Sequence, residues 1–509
     1  MTKKPKIAAV ISCGVLVVLV ALSALAGYFN KKHAAIVENV SASRISPSDA
    51  GTLSSSEEEN RLPSEINTAP VVEKVKKNYA RIKYDTYVRK KASGKADTVA
   101  LITRGAEAEY TEESGAYVKV KYAPYKEGWV LKTGCELFEK EIEITHVPEA
   151  VTEDPFDMNG TAEGEKLGGI LNRYNAVGAS VAVIKDGRVT YHYEYGYADR
   201  EKKISVAENT KFRVASLSKV FTAMLAMTEV DDGKLDLDGD LSEVFGRKFR
   251  HPKYNNLPIT ARMLLTHTAG LSGKEGLYRE PLLNIINKQE YYTNKPGGKF
   301  LYSNLSIGIA GAVVEKAADQ TISQYARDRF FAPMGIDASF DAQYLSDKSL
   351  VANCYNKGTV GRSNEELTRP QEGKLTKPGD IYHLGQGGLL ISSVDLARVV
   401  SVLVNQGQYN GRQYLSEQSV SDMLAVHPVN TQGPFEQCIG IRKYNDLIGN
   451  RDIYYHNGAF YGILALLAVD PSDGSGVVVI TSGARSARKD NTIFEVCNDV
   501  LAYCYKELI

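Results

Sequence analysis

Three short segments carry residue types that together could transfer an acyl group: Ser216-Leu217-Ser218-Lys219, Tyr302-Ser303-Asn304 and His456-Asn457-Gly458. A serine hydroxyl is a poor nucleophile near neutral pH. It needs a neighbouring base and donors aimed at the oxyanion that develops. Ser216 offers the hydroxyl, and Lys219 and Tyr302 are groups able to take and return its proton. Asn304 offers an amide as a polar clamp. The third segment, from His456 to Gly458, offers an oxyanion and substrate edge. Each segment alone is common, but in this order the three supply every part of an acyl-transfer site.

These residues need elements to hold them. After Ser216, the residues Val220, Phe221, Met224, Leu225 and Met227 form a broad apolar helical face, and Gly233 ends the run. A helix opened by Ser216 puts Ser216 and Lys219 on one face, and its first N–H groups favour negative charge at the serine. Further upstream, strand-like runs at 179–184 and 188–193 flank Lys185-Asp186-Gly187, a hairpin signal. Near the other end, 464–469 and 477–480 flank a Gly-rich turn. A helix from about Asn491 to Glu507 follows, with Ile493, Val496, Val500, Leu501 and Cys504 at helical spacing. The pattern predicts an α+β domain: an antiparallel sheet made from both ends of this region, packed against terminal helices, with a mostly helical middle. The segments 273–299 and 339–378 are expected to wall the pocket.

At this point the chain resembles the serine hydrolases related to class C β-lactamases and low-molecular-weight D-alanyl-D-alanine carboxypeptidases (penicillin-binding protein-like). The residues that carry the resemblance are Phe212 through Lys219, Leu264-Leu265-Thr266-His267-Thr268-Ala269-Gly270-Leu271, Tyr302-Ser303-Asn304, Gly387-Gly388-Leu389 and His456-Asn457-Gly458. They run in family order from about Leu167 to Leu501. The resemblance implies a β-lactamase/transpeptidase-like fold and an acyl-enzyme on Ser216, with Lys219 and Tyr302 sharing proton transfer and Asn304 bonding the substrate amide. It also implies an oxyanion hole from the backbone N–H groups of Ser216 and Ala459. His456 stands where many β-lactamases have lysine. A histidine is only partly charged near neutral pH, which leaves ester and amide substrates open beside D-alanyl peptides and β-lactams. His267 falls inside a family segment that forms a structural turn and is expected to be a local hydrogen-bonder.

The chain has 509 residues, too many for one ordinary core. Residues 7–29 contain no charge and would reach roughly 34 Å as a helix, enough to cross a bilayer core. Lys3, Lys4 and Lys6 precede them, so the N-terminus is expected in the cytoplasm and the rest outside. An uncleaved transmembrane anchor is expected. The competing reading is a signal peptide cut after Ala26, since Ala24-Leu25-Ala26 suits processing. A polar stretch rich in Ser and Glu follows and reads as a disordered tether. Then come short apolar runs at 87–89, 99–102, 108–110, 117–121 and 128–130, separated by Gly and Pro, which suggest a small barrel. This segment resembles bacterial SH3-like domains in Val88-Arg89, Ala116 to Val120 and Gly128-Trp129-Val130. The resemblance implies either cell-wall peptide binding or a spacer. The expected layout is therefore 1–30 anchor, 31–70 linker, 71–140 SH3-like module, 141–163 linker and 164–509 hydrolase.

Lys plus Arg and Asp plus Glu both number 61, which argues against nucleic acid as a partner. The eight histidines and six cysteines match no metal-binding spacing, so no metal or other cofactor is expected. Cys497 and Cys504 lie about 10 Å apart along a helix, too far to bridge, and free buried thiols are expected. A binding or sensing protein without turnover is the rival from another class. The complete set Ser216, Lys219, Tyr302 and Asn304 favours an enzyme.

Overall fold

The computed structural model describes residues 71–146 and 154–509, apart from 103, 124–125, 273–281, 283–285, 287, 371–377, 380–381, 432 and 490–492. All of them fall in one unit, Thr68–Ile509. The apolar run at 7–29, the tether and Cys13 lie outside the described residues. Among the described residues, no helix is long and apolar enough to cross a membrane.

Residues 71–146 form a seven-stranded antiparallel sheet. Its spatial order is Thr98–Ile102, Thr86–Arg89, Lys126–Leu131, Tyr117–Ala123, Glu107–Ser114, Val71–Ile82 and Cys135–His146. The five runs singled out in the sequence are all strands. The two long outer ones, Val71–Ile82 and Cys135–His146, pair along their whole length, and the second reaches into the stretch expected to be linker. Lys and Glu alternate with apolar residues in both, a pattern that suits a sheet with one face in water but gives little apolar signal. The core is small: Ala80, Ile82, Val88, Val118, Val120 and Val130 are its most buried members.

The second sheet joins both ends of the remaining chain. Gly178–Lys185 and Arg188–Asp199 form a hairpin, and Ser475–Ser482 lies antiparallel beside the first, with Val181 opposite Val479. Ile463–Asp470, Ile453–Phe460, Arg442–Tyr444 and Glu436–Gln437 continue outward. The hairpin turn has Asp186 and Gly187 both at positive φ (51° and 73°), the geometry that suits Asp-Gly. The two central strands are buried on both faces because helices cover both. Val181, Val183, Val477 and Val479 face the helices Ala162–Arg173 and Glu495–Glu507. Ala182, Ile184, Val478 and Ile480 face the helical region and the helix Ser393–Val404. Each such valine or isoleucine stabilises the fold by about 1.5–3 kcal/mol.

The helical region centres on Ser218–Asp231 and Asn304–Ala318. Both are apolar all round rather than on one face. Every residue from Ser218 to Glu229 is buried, and so is every residue from Leu305 to Glu315. The expected apolar face of the first helix therefore understates its burial. Phe221 shows why: Phe330, Phe331 and Phe340 surround it, with ring centres 5.2, 4.9 and 5.9 Å away. Five cysteines are free and buried. Burial pushes the Cys504 thiol up to about 12.

Candidate active site

Ser216 sits in a single 3-10 turn, Ala215–Leu217, just ahead of the long helix. The helix itself starts at Ser218, so Ser216 is displaced from the capping position and its hydroxyl is left for other work. Ala215 has φ +52°, a left-handed conformation that costs a non-glycine residue on the order of 1 kcal/mol. The Ser218 hydroxyl holds this turn. It donates to the Ala215 carbonyl (2.6 Å) and accepts from the Leu389 N–H (3.1 Å). Gly388 and Leu389, noted in the sequence as part of a shared pattern, thus serve as the wall behind the nucleophile.

Two groups donate to the Ser216 Oγ: Lys219 Nζ at 2.9 Å and Tyr302 Oη at 3.0 Å. One helical turn brings Lys219 beneath the serine. Its ammonium also donates to the Gln386 carbonyl (2.5 Å), and the side chain is 1% exposed. Burial lowers the Lys219 pKa, Tyr302 opposes that, and the Arg442 cation adds to it. Burial alone would raise the Tyr302 pKa, but Lys219 and Arg442 outweigh it and the phenol is pulled down. Both groups have lowered pKa values and touch through one serine oxygen, so the two form a coupled site that can hold a single proton. The pair is either amine with phenol or ammonium with phenolate.

Tyr302 is held from behind by His267. That residue is 3% exposed, has φ +59° and packs its ring 4.6 Å from the Tyr302 ring. Its Nδ1 accepts from the Ser303 N–H at 3.2 Å. Burial, with Arg442 and Lys219 adding to it, keeps the imidazole well below its ordinary value and neutral. His267 is thus a positioning residue that makes no hydrogen bond to Ser216. Ser303 caps the helix Asn304–Ala318 by accepting from Ser306 N–H, so Asn304 stands half-buried in the first turn, two residues after Tyr302.

His456, Gly458 and Ala459 lie on the strand Ile453–Phe460. Gly458 lets this strand approach the nucleophile turn, since a Cβ there would stand 2.6 Å from the Val214 carbonyl oxygen. Ala459, next along, is exposed. His456 is 3% exposed, its ring is 6.2 Å from that of Tyr302, and its Nδ1 contacts the Asn457 carbonyl (2.7 Å). Burial first, then Arg442 and Lys219, hold its pKa well below the ordinary value. The partial charge expected from sequence is therefore disfavoured near neutral pH, because the imidazole is buried and faces Arg442 and Lys219.

Two residues that the sequence reading missed complete the site. Arg442, on a three-residue strand opposite Tyr455, places its guanidinium carbon 5.2 Å from the Tyr302 ring centre and 4.4 Å from that of Phe435. Arg213 donates to the Gly387 carbonyl (2.9 Å) and lies 4.2 Å over the Phe460 ring. Neither has an ion-pair partner among the described residues. No local spacing marks them, although an arginine three residues ahead of the nucleophile was open to notice. Among the described residues, one His/Asp/Glu group could hold a metal. Asp157, His192 and Glu194 have ligand atoms within 4.8 Å of one another. His192 Nδ1 and Glu194 Oε2 are 2.9 Å apart, an ion pair complete without a metal.

Comparison with known proteins identifies the family and the fold. Residues 161–497, more than half of the chain, match the family described as Beta-lactamase. Protein flp of Staphylococcus aureus (strain MW2) is 26% identical over 325 residues, 61% of this chain and 61% of that protein. A beta-lactamase of Pseudomonas fluorescens is 31% identical over 225 residues, 42% of this chain and 60% of that protein. The chain thus spans less than two thirds of the length of these relatives. The solved beta-lactamase/D-alanine carboxypeptidase of Pseudomonas syringae matches with a TM-score of 0.52 at 20% identity, over 68% of this chain and 98% of that one, which shows the shared fold. The chain belongs to the beta-lactamase family.

Proposed function

We propose that this protein is a surface-tethered serine hydrolase that removes a C-terminal D-alanine from peptidoglycan-type peptides through an acyl-enzyme on Ser216. The observation that carries the reading is the double hydrogen bond onto Ser216 Oγ from Lys219 and Tyr302, with Arg442 unpaired beside them. The shared Lys219/Tyr302 site takes the Ser216 proton as Oγ bonds to the acyl carbon. It returns that proton to the departing amine nitrogen as the C–N bond breaks. Water then attacks the ester, with the same pair as base, and frees the acid. Because His456 is neutral, Arg442 is the cation left to attract the terminal carboxylate, by charge-assisted hydrogen bonds.

The test is hydrolysis of a peptide ending in D-Ala-D-Ala against the same peptide with a C-terminal amide. The acid is expected to be cleaved with the lower KM. Arg442→Gln is expected to raise that KM at least tenfold, leaving the amide unchanged. Equal cleavage of acid and amide would remove the carboxypeptidase assignment. Neutral His456 favours a second reading, turnover of esters or β-lactams at the same serine. A chromogenic cephalosporin and short acyl esters test it. Measured deacylation separates either enzyme from a sensor that binds without turnover.

The charge-free run at 7–29 and the lysines before it support an anchor with the hydrolase outside the cell. The pattern of strands at 71–146, with exposed Tyr84 and Tyr87, supports an SH3-like module that binds cell-wall peptides.

A further inference from the structure

The strand Ile453–Phe460 pairs with Arg442–Tyr444 only through Ile453, Tyr454 and Tyr455. On its other side it stays paired with Ile463–Asp470 as far as Phe460. From His456 to Phe460 one edge therefore has no strand beside it among the described residues, and Gly458 brings that edge against the nucleophile turn. Arg442 stands at one end, opposite Tyr455. At the other end the strand turns at Tyr461, which has φ +44° and is 45% exposed. Arg362 meets it there. Its guanidinium carbon lies 3.8 Å over the Tyr461 ring, and its Nη2 donates to the Tyr461 hydroxyl at 2.6 Å.

Arg362 ends the hairpin formed by Cys354–Asn356 and Thr359–Arg362, inside a segment expected from sequence to wall the pocket. Its Nη1 donates to the Gly361 carbonyl at 3.1 Å. Among the described residues it has no ion-pair partner. A guanidinium stacked on a ring is fixed in orientation, and its planar N–H fork matches a carboxylate. The edge from Tyr455 to Tyr461 measures roughly 20 Å, the length of an extended peptide, with Ser216 beside its middle.

We propose that Arg362, held on Tyr461, is a specificity-determining cation that binds a carboxylate on the acyl side of the substrate. The inference rests on the acyl-enzyme reading above. The substrate would then be anionic at both ends of the extended segment: the leaving residue's carboxylate toward Arg442, and a second carboxylate on the acyl chain toward Arg362. That chemistry fits a peptide with an acidic side chain or branch ahead of the scissile bond.

The test uses the full chain and two benzyl thioesters, one of N-succinylglycine and one of its neutral amide, N-succinamoylglycine. Their leaving group is uncharged, so Arg442 plays no part. The anionic thioester is expected to have the higher kcat/KM by about tenfold, through KM. Arg362→Gln should erase the difference while leaving the neutral thioester within twofold, Arg362→Lys should keep part of it, and Arg362→Glu should reverse it. Equal rates on both thioesters in the wild type, or an equal loss on both in Arg362→Gln, would overturn the assignment. Wild-type protein that forms no Ser216 adduct with either thioester, by intact mass, would overturn both this inference and the acyl-enzyme reading. An adduct with no preference overturns this inference alone.

Discussion

The sheet of residues 71–146 and the acyl-transfer site treat charge in opposite ways. In the sheet, Arg81 reaches Glu107 and Glu136 at 2.9 and 3.2 Å, and Glu109 takes Lys77 and Lys121 at 3.3 and 3.1 Å. These pairs stand in water, which screens them, and exposed pairs of this kind contribute little to stability. Around Ser216 the cations Lys219, Arg213, Arg442 and Arg362 have no carboxylate within ion-pair distance among the described residues. Three histidines near them are held neutral: His267, His456, and His383, which burial and then Arg213 push down to about 4. Leaving a buried cation unpaired costs several kcal/mol. A lysine can relieve that cost by giving up its proton, and burial lowers the Lys219 pKa in that direction. Arginine cannot do so and keeps its charge; the proposed function assigns that charge to an anion on the substrate. Among the described residues, charges are paired on the sheet and left without carboxylate partners around Ser216.

The comparison breaks first at Ser216. Ser216→Ala should abolish hydrolysis and the covalent adduct seen by mass spectrometry, with an unchanged circular dichroism spectrum. An active alanine variant would move the chemistry elsewhere. Next, Lys219→Ala and Tyr302→Phe should each lower the acylation rate by about 10² or more. The double variant should lose little beyond the worse single one, because the two act as a unit. Losses that multiply would mean independent roles. Both groups have lowered pKa values, so the rate should fall on the acid side as the pair takes up its proton. A pH profile of acylation measures this.

His192 and Glu194 offer an intermediate case, buried and paired. Burial lowers the His192 pKa, but Glu194 more than offsets it and the imidazole is raised. The pair's stabilisation is therefore complete below the unfolded value of about 6.5 and fades as pH rises through the folded value. Glu194→Gln should lower Tm more at pH 5.5 than at pH 8.5. An equal loss at both would deny the ion pair. The smallest effect belongs to the sheet: Arg81→Ala should leave both Tm and activity unchanged within error, whereas a clear loss would make the surface network structural.

What was legible in the sequence follows from how local each signal is. Ser216 and Lys219 are one helical turn apart, and Asp186-Gly187 declares its own turn. Both stand where the spacing places them. Tyr302 is marked by its neighbours Ser303 and Asn304. Arg442 is invisible because it sits on a strand of three residues and acts through rings on other segments. Arg362 is invisible because its partner, Tyr461, belongs to a different hairpin. The strands Val71–Ile82 and Cys135–His146 were hidden by their Lys and Glu content, since polar residues on a wetted face resemble linker composition. Burial on all sides of Ser218–Asp231 also depends on Phe330, Phe331 and Phe340, which no local period reveals.

The pairing of Val181 with Val479 has a consequence for synthesis. A chain made from its N-terminus completes the hairpin Gly178–Lys185 with Arg188–Asp199 early, then waits for Ser475–Ser482 before its neighbour on the other side exists. Such distant pairing is slow to form. Ser216, Lys219 and Tyr302 are all made before the strand that bears His456 and Ala459. A stalled or shortened product would therefore own a nucleophile and its base with no edge to align a substrate. Activity should appear only once the strand bearing His456 and Ala459 has been made and has paired, so a chain shortened before it should be inactive.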